Sequence, residues 1–136
     1  LTLYNNSNTK SVDIRSGTVS IDYYESILSP SITAKIRVIN TGNTIADDKN
    51  NEYSAIYNGL PLRGGELLEM DVLDFGNNKS GIKLDLTVSS ITQVLSEDDK
   101  ESFLLNLTSG AAITNELNRV YNQHLKHNQI QGNFEQ

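Results

Sequence analysis

The chain has 136 residues, 37% hydrophobic and 21% charged, enough for one domain with a real core but too short for a (β/α)8 barrel of about 250 residues. Eleven basic against seventeen acidic side chains leave a net charge of −6, which argues against an obligate nucleic-acid binder, because phosphate contacts need a basic face. Cysteine is absent, so disulfide frameworks, thiolate zinc sites and cysteine nucleophiles are excluded, and no apolar run reaches the roughly 18 residues of a membrane span. The opening Leu1-Thr-Leu-Tyr-Asn-Asn has neither the basic region nor the apolar core of a signal peptide. Because it starts on Leu rather than Met, we expect a processed chain or part of a longer one.

In chain order, residues 1–10 are rich in Asn, Ser and Thr and are expected to form a polar arm. A period of two then sets in, the mark of half-buried strands. In Thr18–Leu28, Val19, Ile21 and Tyr23 share one face, and Ser20, Asp22 and Tyr24 the other. Pro30 closes that strand, lacking a ladder donor. In Ile32–Ile39, Ile32, Ala34, Ile36 and Val38 are expected inward, with Thr33, Lys35 and Arg37 outward. Residues 40–52 read as a long loop and 53–60 as a helical turn or a poor strand. After the break Leu60-Pro61-Leu62-Arg63-Gly64-Gly65, a strand over 66–75 places Leu68, Met70 and Val72 on one side. Gly76–Gly81 is a hairpin loop; Ile82–Leu95 resumes the alternation; Lys100–Thr108 is the last strand, with Phe103, Leu105 and Leu107 inward.

The period then changes. Ile113, Leu117, Val120, Tyr121 and His124 lie on one face of an amphipathic helix expected over 110–125, capped by Thr108 or Ser109. Residues 126–136 form a polar tail. The expected fold is mainly β with one C-terminal helix: a small antiparallel β-barrel or sandwich of about six strands spanning 11–125.

Catalytic signals are thin. His124 and His127 are three apart near a helix end, where solvated histidines are the plain reading. Asp47–Glu52 lacks the spacing of a calcium loop, and Asp71, Asp74, Asn77 and Asn78 are weighed the same way. Glu66, Glu69, Asp71 and Asp85 lie on or near outward strand positions, with no apolar run to raise a carboxyl pKa. Arg63-Gly64-Gly65-Glu66 lacks the spacing of a phosphate loop. We therefore expect no enzyme activity, no cofactor and no metal. Tyr24 stands out as a contact residue, because adjacent tyrosines on a strand face opposite ways.

Three segments carry a resemblance. They are Ile21-Asp22-Tyr23-Tyr24-Glu25-Ser26-Ile27-Leu28-Ser29-Pro30-Ser31-Ile32-Thr33-Ala34, then Gly59-Leu60-Pro61-Leu62-Arg63-Gly64-Gly65-Glu66, then Phe103-Leu104-Leu105-Asn106-Leu107-Thr108-Ser109 followed by Asn115-Glu116-Leu117-Asn118-Arg119-Val120-Tyr121. Their order over about residues 18–122 resembles the tube-like domain of baseplate hub and related virion structural proteins of contractile-tailed bacteriophages. The resemblance implies a small antiparallel barrel with a flanking helix, set side by side with others in a ring around the tail channel. It implies a homo-oligomeric virion component, assembled in the host cytoplasm, that joins tube to spike and lets DNA pass without specific binding. Members with two barrels per chain form trimers with a pseudo-sixfold ring. This chain has room for one, so trimer and hexamer stay open. The resemblance places Arg63 and Glu66 at a subunit seam. With the outward positions Tyr24, Lys35, Arg37 and Arg119 they are the candidate interface residues; no membrane partner is implied. The alternative is a small β-sandwich module that binds a glycan or host surface. A cell-wall hydrolase fused to a hub is a third reading, for which the sequence offers no site.

Overall fold

A computed structural model of the protein describes residues 1–42, 44–46, 53–73, 81–97 and 100–117. The elements are β1 (Thr2–Tyr4), β2 (Ser11–Asp13), a 3-10 turn (Arg15–Gly17), β3 (Thr18–Tyr24), β4 (Thr33–Thr41), β5 (Ile45–Ala46), β6 (Tyr53–Ser54), α1 (Ile56–Gly59), β7 (Leu67–Leu73), β8 (Gly81–Glu97), β9 (Lys100–Ser109) and α2 (Gly110–Leu117). The fold is mainly β. Seven strands form one antiparallel sheet, curled into a half-barrel, in the order β2-β1-β7-β8-β9-β4-β3. β5 and β6 form a separate pair. The part of the expected helix beyond Leu117 lies outside the described residues, as do Arg119, His124, His127, the 47–52 carboxylates, Asp74, Asn77 and Asn78.

Alternation explains the core. Ala34, Ile36 and Val38 of β4 meet Leu107, Leu105 and Phe103 of β9 in register, and all six are buried. Leu68 and Met70 of β7 and Leu86 and Val88 of β8 complete the inner face. β8 changes parity at a bulge between Val88 and Ser90, so that Ile91, not Ser90, packs against the core opposite Leu105. Residues 1–10 depart from the expected arm: β1 pairs with both β2 and β7, and Leu3 is fully buried. Three residues are too few to show a period, which is why the segment reads as polar.

Between β4 and β7 the chain leaves the sheet and caps one end of the half-barrel. Both alternatives for residues 53–60 are present in sequence: strand β6, then the single turn α1. Ile45, Ile56, Leu60 and Leu62 of this excursion are buried, and Tyr57 packs on Phe103 with ring centroids 6.2 Å apart. Its anchor is Glu101 of β9, only 4% exposed. The Glu101 carboxylate accepts from the Ile56 amide at 2.6 Å, the Tyr57 amide at 3.1 Å and Asn40 Nδ2 at 2.8 Å. α1 has no side-chain cap of its own at Ala55, so a carboxylate from 45 residues away supplies it.

Two outcomes follow. Glu101→Ala strands two helix-end amides and is expected to cost about 3 kcal/mol in urea unfolding, while Glu101→Gln, which keeps one acceptor oxygen, loses about half as much. At the end of β2, Arg15 Nε donates to Asp13 Oδ2 at 2.8 Å, and this guanidinium holds the Asp13 carboxyl at about 2, down from 3.8. The folded value is the lower one, so the pair's contribution is complete above 3.8 and disappears as pH falls through about 2. An NMR titration of Asp13 is expected to give a midpoint near 2, returning toward 3.8 in Arg15→Gln.

Candidate functional site

The half-barrel does not close, and its open side begins at β3. This is the last strand of the sheet, and among the described residues β4 is its one strand partner. Val19, Ile21 and Tyr23, the apolar set of the alternation in this strand, are all exposed. Ile21 and Tyr23 lie on the inner face, but the wall opposite stands off. Between them and Met70, Val72, Ile82 and Leu84 runs an apolar groove of about 320 Å3, with Glu25 at its rim. The Tyr23 hydroxyl donates to Glu25 Oε2 at 3.0 Å, and partial burial followed by this carboxylate pushes the phenol pKa up. Past β3, the Ser29 amide donates to the Ser26 carbonyl and closes a turn that carries Ile27 and Leu28, both almost wholly exposed.

The outer face of β3 and β4 is polar. Asp22 lies opposite Lys35, Ser20 opposite Arg37 and Tyr24 opposite Thr33. Tyr24 is 54% exposed. It lines, with Lys35, Asn106, Ala112 and Ile113, a depression of about 570 Å3 beside α2. Arg37 Nη2 donates to Gln93 Oε1 at 2.6 Å, where β8 bulges and Gln93 takes φ 52°. Tyr24 and Lys35 thus share one depression, with Arg37 two residues along β4. Arg63 is exposed on the far wing of the sheet, ahead of β7.

The Arg63 turn differs from expectation. Glu66, expected on an outward position, is fully buried. Its carboxylate accepts from the Arg63 amide at 2.7 Å, the Gly64 amide at 2.9 Å and Asn6 Nδ2 at 3.4 Å. Within this chain it therefore binds its own turn and the loop after β1, and only Arg63 is presented outward. Gly64 and Gly65 take φ of +106° and +94°, and the Gly65 amide and the Glu66 carbonyl both bond Val88, joining the turn to β8. Glu101, the other buried acid, was not singled out from the sequence. The signal was parity: Glu66 and Glu101 each stand two residues before the first inward apolar residue of a strand.

The remaining carboxylates among the described residues are exposed. Glu69 and Asp85 are register partners, and Tyr4 donates to Glu69 at 3.0 Å. Asp71 lies 3.8 Å from Lys83. Among the described residues no group of three His, Asp or Glu is arranged to hold a metal ion, and no helix is long and apolar enough to cross a membrane. No family model matches the chain, and no curated protein and no solved structure matches it.

Alanine at Gly65 meets both a strained φ and Asn6 Oδ1, 2.9 Å from the added Cβ. Gly65→Ala is expected to cost about 1–3 kcal/mol. Gly64→Ala, whose Cβ has 3.7 Å of room, carries the backbone strain alone and is expected to cost less; parallel urea melts rank the two.

Proposed function

We propose that the chain is a structural subunit of a contractile phage tail, a tube-like ring component at the baseplate hub that lines the channel and joins tube to spike. It works by assembly with copies of itself and with neighbouring tube and spike proteins, in a virion put together in the host cytoplasm. One observation carries the reading: the half-barrel leaves β3, the apolar flank beneath it and the Ile27–Leu28 turn open to solvent. Contiguous apolar surface next to a bare strand edge is what association buries. The order of the three sequence segments supports the tail context, and a net charge of −6 suits a channel from which DNA must not bind.

A second reading, a glycan- or host-surface-binding module, draws on the outer depression. There the half-exposed Tyr24 shares the lining with Ala112, Ile113 and Lys35, the mix of apolar platform and polar handles that a sugar ring uses.

Native mass by light scattering over a concentration series separates the two. The ring reading expects a trimer or hexamer as concentration rises. A monomer at every concentration overturns it in favour of the binding module.

A further inference from the structure

We infer that the apolar groove of the open flank receives the Ile27–Leu28 turn of a second copy of this chain. The inference rests on the assembly reading and names the contact through which it acts.

The chain carries both halves of the contact. The receiving half is the groove between Ile21 and Tyr23 on one side and Val72, Ile82 and Leu84 on the other, about 320 Å3. A dry apolar cavity of about 150 Å3 holds one benzene-sized group, so the groove has room for about two side chains of that size. The inserting half presents two: Ile27 and Leu28 are the most exposed large apolar side chains among the described residues. They sit side by side on a turn closed by the Ser26 carbonyl and the Ser29 amide, with the Leu28 amide also donating to Ser26 Oγ at 3.2 Å. A closed turn loses little freedom on docking.

With a net charge of −6, two copies repel over most approaches. From Ser26 to Ala34 the sequence has no ionisable side chain, so the inserted residues themselves bring no charge into the groove. Apart from Glu25 and the Tyr23 hydroxyl, the groove lining is apolar, which suits an apolar turn.

The test uses the full chain, with native mass by light scattering and far-UV circular dichroism as the check on fold. One variant removes the inserting half, Ile27→Asp with Leu28→Asp; another fills the groove with charge, Ile82→Asp. All three residues are exposed, so the fold is expected to survive. Each variant alone is expected to self-associate at least ten-fold more weakly than the parent. Mixed together, they are expected to form a one-to-one dimer, because one partner keeps an intact turn and the other an intact groove. A parent chain that is monomeric throughout overturns the assembly reading and this contact with it. A parent oligomer that both variants reproduce, or a mixture that stays monomeric, overturns this contact alone.

Discussion

The structure depends on the bonding of two buried glutamates to backbone amides. A carboxylate out of water is costly unless its oxygens are hydrogen-bonded. Glu101 and Glu66 meet that condition only when the excursion between β4 and β7 is closed, since Ile56, Tyr57, Arg63 and Gly64 all belong to it. The rest of the cap depends on the same closure. Asn40 donates to both Glu101 and the Gly42 carbonyl, so the place where the chain leaves β4 is tied to the acid that receives α1. Where the chain returns, Asn6 donates to the Gly64 carbonyl and to Glu66, linking the loop after β1 to the start of β7. Packing of Tyr57 on Phe103 adds area, but the acids set position, because an amide without its acceptor is penalised by direction as well as distance.

Much of this was legible in the sequence. Alternation located β4, β7, β8 and β9 and picked out their buried residues, because each has core on one face and solvent or a polar partner on the other. Glu66 and Glu101 obeyed the same parity as Leu68 and Phe103, but a charged residue at a strand entrance reads as a turn, and the amides that satisfy it are remote in sequence or hidden in backbone. The parity switch from Val88 to Ile91 needed a bulge to interpret it. Strand order was not legible, since placing β1 beside β7 and β9 between β8 and β4 is a matter of long-range pairing.

The exposure of β3 is the most informative feature of the sheet. Alternation puts Ile21 and Tyr23 on one face, with Val19 displaced by the bulge before Ser20; it does not show whether anything arrives to cover them. In β4 the facing wall arrives, and Ala34, Ile36 and Val38 are buried. In β3, one strand further out, the curl of the sheet stops short and equally apolar residues stay wet. Outward polar positions such as Lys35 and Arg37 are legible from alternation alone, whereas the exposed apolar surface of Ile21 and Tyr23 lies on the inner face.

The two edges of the sheet are treated differently, and the contrast bears on where partners attach. Bare edges are usually blunted by shortness, charge or a sharp turn. β2 has all three: it is three residues long, ends at Asp13, and runs into the 3-10 turn whose Arg15 pairs with that aspartate. β3 is seven residues long, bulged only near its start, with apolar side chains along the inner face and its one acid, Asp22, on the outer. A chain selected to remain alone would gain from blunting both edges. Protection of β2 alone, with Ile27 and Leu28 held out in water at the end of β3, leaves β3 as the flank on which the proposed association would act and gives β2 nothing to compete with it.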